Sequence, residues 1–161
     1  MSEWRTPVFD RTREDVEYAI KTIAEWIGDD MSGNHLAIHD LKGCLNVSDI
    51  NRIEGNIAYL SAELNGLLYS NNTSTREWTN GGLPNEQDIE RVLGNISGLT
   101  MAFHAPINAP PVPSGLSSYD EVNAVEKNIS LIKDLLDCMV GSFKKSGTYQ
   151  SGKSFSLPIR R

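Results

Sequence analysis

One helix-start pattern occurs four times in this chain. Each copy opens with an acidic residue, and apolar residues follow one, four, eight and eleven positions later, with isoleucine always at position eight. Steps of three, four and three residues place these side chains on one face of an α-helix, whereas a strand would require strict alternation. The opening acids are Asp15, Asp49, Asp88 and Glu121. The pattern therefore predicts four amphipathic helices.

A residue suited to capping a helix stands three positions before each opening acid: Thr12, Asn46, Asn85 and Ser118. The side-chain oxygen of such a residue accepts a hydrogen bond from the first turn, and the acid lies near the positive end of the helix dipole. The helices are predicted to span 13 to 26 or 27, 47 to about 69, 86 to about 102, and 119 to about 143. A short helical turn is predicted over residues 36–42.

The position seven residues after the opening acid is also repeated. It holds Thr22, Asn56, Asn95 and Asn128. Asparagine is a poor helix former, so its recurrence beside the apolar stripe predicts hydrogen bonds to adjacent segments rather than ligand binding. Glycines at 55, 94 and 98 weaken the helices, and we expect them to permit close approach between helices.

The predicted fold is all-α, with four amphipathic helices forming a bundle, an extended Pro-rich connection and an extended C-terminal tail. Each helix has one apolar face, and a bundle buries these faces against one another. The prolines from Pro110 to Pro113 deny helix hydrogen bonds and favour extended backbone. We divide the chain into a helical bundle domain, residues 1–144, and a C-terminal arm, residues 145–161.

Composition narrows the class of protein. The hydrophobic fraction is 39%, and no apolar run approaches the roughly eighteen residues of a membrane span. The N-terminal residues carry no apolar signal-peptide core. Cys44 and Cys138 lie far apart, which predicts reduced thiols rather than a disulfide framework. The net charge is −6, and no acidic residue follows Asp137. An acidic body disfavours nucleic acid as a ligand, and we expect no membrane partner.

Few residues form patterns that would carry chemistry. His35 and His39 are four apart, and Asp40 and Cys44 follow closely, which is the best candidate for zinc. Their flanking residues do not favour a helix, so we disfavour a metal site. No Ser/His/Asp or Cys/His set has informative spacing. We therefore expect no enzymatic activity, no catalytic residues and no cofactor.

The segment from Leu41 to Leu60 resembles a segment common in minor structural proteins of phages and prophages of Gram-positive bacteria. Residues 10–16, Trp78, the loop to Pro84 and Asn85, and the Pro110 to Pro113 segment also resemble that group. The resemblance implies a virion component of the tail tip, baseplate or receptor-binding apparatus, assembled in the bacterial cytoplasm. In that group a helical module commonly leads into β-rich, trimeric material. Because this sequence stops at Arg161, an adaptor or decoration role is the expected one.

The C-terminal arm, residues 145–161, carries no helical stripe. It combines positive charge with apolar side chains that could anchor it to a partner. The residues we predict to bind a partner are Tyr149, Lys153, Phe155, Leu157, Arg160 and Arg161. Such a segment has too little apolar area to offset its backbone entropy alone. We expect it to bind other virion structural proteins, with homo-oligomers in the particle. Two alternatives stay open: a frayed terminus without a role, and a prophage-borne module that inhibits or regulates a host protein.

Overall fold

A computed structural model describes residues 3–30, 41–79, 82 and 84–145 of the chain. The described residues form four helices and no strand: α1 (Arg13–Asp30), α2 (Val47–Gly66), α3 (Glu86–Ala102) and α4 (Tyr119–Lys145). The predicted all-helical fold with four helices is confirmed. None of the described helices combines the length and apolar character needed to cross a membrane.

Each helix begins with the predicted capping pair. In α3, Asp88 N donates to Asn85 Oδ1 at 2.9 Å, and Asn85 N donates back to Asp88 Oδ2 at 3.2 Å. The same reciprocal bonds join Ser118 and Glu121 at the start of α4. Thr12 and Asp15 begin α1 in this way, and at the start of α2 Asn46 N donates to Asp49 Oδ2 at 3.0 Å. The four helix starts are therefore fixed by local sequence.

The apolar core lies between α2, α3 and α4, which pack pairwise against one another. The isoleucines eight residues after the opening acids of these helices, Ile57, Ile96 and Ile129, are each 0% exposed. Ile53, Leu60, Leu99 and Ile132, from the same stripes, are buried to 1% or less. These stripes were predicted to form the core, and the prediction is confirmed.

Helix α1 carries the same stripe but lies outside this core. Of its four stripe residues only Ala19 is buried, at 1% exposed, whereas Val16, Ile23 and Trp26 are half-buried. No α1 residue belongs to the core cluster. The backbone of Gly43 packs closely against the N-terminal end of α1. A Cβ at position 43 would lie only 2.1 Å from the carbonyl oxygen of Asp15, so this contact requires glycine. The bundle core in the described residues is thus built by three helices.

Several local predictions need correction. Helix α1 continues through Gly28 to Asp30, which is possible because glycine in a helix costs only about 1 kcal/mol. Helix α2 ends at Gly66, and Leu68, predicted to continue the stripe, has φ 68° and is 92% exposed. Helix α4 ends at Lys145, two residues beyond the end predicted near Phe143.

The predicted role of the helix glycines was wrong. A Cβ on Gly55, Gly94 or Gly98 would meet no atom within 4 Å, so these glycines do not mediate close helix contacts. Of the predicted turn over 36–42, residues 36–40 lie outside the described part of the chain.

Candidate functional site: helix grooves that hold non-helical segments

The segment of residues 3–12 lies across α2 and α4 and is held through its backbone. Asn56 of α2 accepts from Arg5 N at 2.9 Å and donates to Arg5 O at 2.8 Å. Asn123 of α4 does the same to Arg11, at 3.1 and 2.8 Å. A side-chain amide bonded to both backbone groups of one residue replaces the pairing that a β-strand would supply. The two asparagines therefore bind this segment through its backbone.

A second groove, between α2 and α3, repeats this arrangement. Asn95 of α3 pairs with both backbone groups of Ser74, at 3.1 and 2.7 Å. Asn51 of α2 pairs with both backbone groups of Trp78, each at 2.8 Å. Asn51 and Asn123 stand two positions after their opening acids, and Asn56 and Asn95 stand seven positions after theirs. The two grooves are thus built from equivalent positions of the repeat.

The third repeated asparagine binds the Pro-rich connection with one bond. Asn128 Nδ2 donates to Pro110 O at 3.0 Å, and proline has no N–H to give in return. The predicted hydrogen bonds from asparagines 56, 95 and 128 to adjacent segments are confirmed. In α1 the equivalent Thr22 donates to Tyr18 O of its own helix at 2.9 Å.

A buried cluster of charges closes the first groove. Arg11 Nη2 lies 2.7 Å from Asp49 Oδ1 and 3.2 Å from Glu126 Oε1, and Arg52 Nη2 lies 2.5 Å from each of these two oxygens. Glu126 also accepts from Val8 N at 2.6 Å. Burial lowers the pKa of Arg52, but the hydrogen bonds and charges of Glu126 and Asp49 outweigh it, so the pKa is raised. The cluster thus pairs two arginines with two carboxylates, so that their formal charges balance.

The second groove also contains a buried ion pair, between Glu54 and Arg91. Glu54 is 2% exposed, and its Oε1 lies 2.5 Å from Arg91 Nη2 and 3.3 Å from the indole Nε1 of Trp78. The hydrogen bond to Glu54 is the main cause of the raised pKa of Arg91. The guanidinium of Arg76 stacks over the Trp78 ring at 3.9 Å, a cation–π contact. Trp78 is consequently held by its backbone, its indole N–H and its ring face.

These charges tie the non-helical segments to the helices, since each buried carboxylate forms an ion pair with at least one arginine. Within the described ranges, no three His, Cys, Asp or Glu side chains are placed to bind a metal. His35, His39 and Asp40, from the disfavoured zinc candidate, lie outside those ranges.

The two thiols are free in the structure. Burial, followed by the charge of Asp49, raises the pKa of Cys44. A raised pKa lowers the thiolate fraction and with it the reactivity. Cys44 also lines a cleft of about 330 Å³ beside Arg11, Val16 and Ser118. A nucleophilic role for Cys44 is not supported by this environment.

A wider cleft of about 470 Å³ lies between the two held segments. It is lined by Arg5 and Glu3 from one segment, by Arg76 and Glu77 from the other, and by Gly55 at its floor. The charges on its rim alternate in sign, so the cleft favours neither anions nor cations. We therefore do not assign a ligand to this cleft between the two held segments.

In the described part of the chain, an apolar surface of α1 is exposed. Ile20 is 63% exposed and Ile27 is 55% exposed, and Ala24 between them is also exposed. Positions 20, 24 and 27 follow the four- and three-residue steps of one helix face. We call these three residues the exposed α1 face, which is distinct from the repeated stripe of Val16, Ala19, Ile23 and Trp26.

The residues predicted to bind a partner, from Tyr149 to Arg161, lie outside the described part of the chain. Sequence reasoning missed the buried charges. A signal was present, because two copies of the repeat carry arginine at position three, Arg52 and Arg91, and two carry glutamate at position five, Glu54 and Glu126.

Comparisons with protein-family models, with curated proteins and with solved structures found no match.

Proposed function

We propose that this protein is a structural subunit of the tail or baseplate region of a phage virion, where it acts as a helical adaptor or decoration subunit. The observation that carries the proposal is the way the helical body holds non-helical segments. Asn56, Asn123, Asn95 and Asn51 bind backbone groups in two grooves. A body that fastens extended chain by its backbone is suited to joining components by arms.

The buried charges support an assembly role over catalysis. Arg11 belongs to the N-terminal segment, whereas Asp49 and Glu126 belong to α2 and α4. A buried ion pair adds little net stability over an apolar pair, but breaking it is costly. The cluster therefore selects one register of the segment in its groove. Fixed placement of a segment on a rigid body is what an adaptor requires.

In this proposal the Pro-rich connection and the C-terminal arm beyond α4 are extended, and residues 146–161 bind other virion structural proteins and neighbouring copies. Tyr149, Phe155 and Leu157 supply apolar anchors, and Lys153, Arg160 and Arg161 supply charge. The resemblance of residues 41–60 to phage minor structural proteins supports the location in the virion, after assembly in the bacterial cytoplasm.

Mass spectrometry of purified particles tests the location. The protein should co-purify with the particles at a fixed ratio to other tail components through a density gradient and a high-salt wash. A cytoplasmic protein of the same host, followed in the same gradient, controls for carry-over. Absence from washed particles would remove the virion role.

A second candidate is a prophage-borne module that inhibits or regulates a host protein. The acidic composition and the exposed α1 face favour it. A partner with basic residues would complement the charge, and an apolar patch on that partner would pack on Ile20 and Ile27. A stoichiometric complex with one host protein, lost on Ile20→Glu and Ile27→Glu, together with absence from particles, would favour this candidate over the adaptor.

A further inference from the structure

We propose that copies of this chain exchange their N-terminal segments, residues 3–12. The segment of one copy then binds in the groove between α2 and α4 of a second copy, through the contacts that the structure shows within one chain. The partner is therefore an identical chain. The proposal concerns the protein on its own and does not rest on a place in the virion.

The position of this segment in the chain differs from that of the other two held segments. The segment with Ser74 and Trp78 joins α2 to α3, and the segment with Pro110 joins α3 to α4, so both are tied at each end to a core helix. Residues 3–12 lead instead into α1, and no α1 residue belongs to the core cluster or to the side chains packed against it. Of the three segments, this one can leave its groove without moving a core helix.

The groove binds the backbone of the segment at two points. Asn56 pairs with both backbone groups of Arg5, and Asn123 pairs with both backbone groups of Arg11. These four hydrogen bonds are independent of the side chains on the segment and of the chain to which the segment belongs. An extended segment from a second copy can therefore form all of them.

One side chain of the segment adds specificity. Arg11 is 4% exposed, whereas every other residue from 3 to 12 is half-buried or exposed. Its guanidinium contacts Asp49 and Glu126, which belong to different helices. Because buried carboxylates without a cation are costly, the groove favours an extended segment with arginine at this point. The N-terminal segment of an identical chain meets this requirement.

Exchange changes the chain that supplies the segment but not the contacts in the groove. In a closed dimer each groove is filled by the partner, so the contacts given up within one chain are regained between chains. This makes exchange a low-cost route to a dimer. Within a single chain the tether raises the effective concentration of the segment to order millimolar. A test of exchange must therefore weaken the binding of the segment in its own groove.

Two full-length variants provide this test. In the acceptor, Arg11→Glu places a negative charge beside Asp49 and Glu126 and so empties the groove. In the donor, Asn56→Ala and Asn123→Ala remove the four hydrogen bonds that hold the parental segment in its own groove. These bonds are regained only in the groove of the acceptor. Native mass spectrometry of the mixture should show a one-to-one heterodimer, at least tenfold more abundant than a dimer of either variant alone.

Matched substitutions in the donor test whether Arg11 carries the exchange. Adding Arg11→Glu to the donor should reduce the heterodimer at least tenfold. Adding Arg13→Glu, at a side chain that is 79% exposed on α1, should leave it within twofold. Circular dichroism should show parental helical content for every variant, and Arg11→Gln replaces Arg11→Glu in the acceptor if it does not. Absence of the heterodimer, or equal amounts with both altered donors, would overturn the proposal.

Hydrogen exchange identifies the surface that joins the two chains. Peptides covering residues 3–12 differ in mass between donor and acceptor because residue 11 differs. In the mixture the donor peptide should exchange at least tenfold more slowly than in the donor alone, and the acceptor peptide should stay unprotected. A heterodimer in which the donor peptide gains no protection would show that the chains associate through another surface, and this result would also overturn the proposal.

Discussion

Arg52 and Glu126 form a buried ion pair between α2 and α4, and the same pair is repeated between α3 and α2 by Arg91 and Glu54. In each case the arginine stands three residues after the opening acid of its helix and the glutamate five residues after. The third pair of helices, α4 and α3, carries Ala124 and Leu93 at these positions. The bundle therefore has a threefold pattern in which one ionic contact is replaced by apolar residues.

The first prediction concerns the charge of Glu126. Glu126→Gln should lower the free energy of unfolding by about 3–5 kcal/mol, because Arg11 and Arg52 would be left with a single buried carboxylate. The control is Asp137→Asn, which removes the pair with Lys133 at a side chain that is 61% exposed; it should cost less than about 1 kcal/mol. Urea unfolding of both variants measures the difference, and equal small effects would show that the buried charge is dispensable.

The second prediction concerns the hold on the N-terminal segment. Asn56→Ala removes both hydrogen bonds to Arg5 and should cost about 1–3 kcal/mol, because each such bond contributes about 0.5–1.5 kcal/mol. Hydrogen exchange should rise in residues 3–12 more than in the core helices. Asn72→Ala, at an exposed position, is the control and should change neither quantity. Uniform exchange across the chain in Asn56→Ala would contradict a local clamp.

The third prediction concerns the core. Ile57→Ala and Ile129→Ala should each lower the free energy of unfolding by about 2–5 kcal/mol, because each deletes a fully buried side chain and leaves a cavity. Met101→Ala, at 87% exposed, should stay within about 0.5 kcal/mol of the parent. Near-parental melting of both isoleucine variants would mean that the stripe does not stabilise the fold.

These cases show which features the sequence could predict. The helix starts and the stripe residue Ile57 follow from contacts within a few residues, so spacing and capping preferences were sufficient. The placement of α1 outside the core could not be predicted, because Val16 and Ile53 occupy equivalent faces and only packing distinguishes them. The partners of Glu126 lie on other elements that are far away in sequence, so its burial could not be inferred from neighbouring residues. Leu68 fits the stripe by spacing, but α2 ends before it.

The fourth prediction concerns the stability of the fold at acidic pH. Hydrogen bonds from the hydroxyl and backbone of Ser117, with those of Ser118, lower the pKa of Glu121 in the folded protein below its ordinary 4.5. A lowered folded-state pKa stabilises the fold above the unfolded-state value, and this stabilisation is lost as the pH falls through the folded-state value. Unfolding measured from pH 6 to pH 3 should therefore depend less on pH in Glu121→Gln than in the parent. Asn72→Ala, at an exposed position that carries no titratable group, should retain the parental slope.

The last prediction concerns the C-terminal arm. Deletion of residues 146–161 should leave helical content and melting temperature nearly unchanged, because the core described between α2, α3 and α4 is built from residues that the deletion retains. If the arm joins the protein to virion components, the same deletion should abolish incorporation into particles. Replacing Lys153, Arg160 and Arg161 by glutamine, with the apolar anchors retained, should weaken incorporation and make it less sensitive to salt, since screening acts on the charges. Normal incorporation of the truncated protein would leave the arm without an assembly role, while the virion role itself would stand.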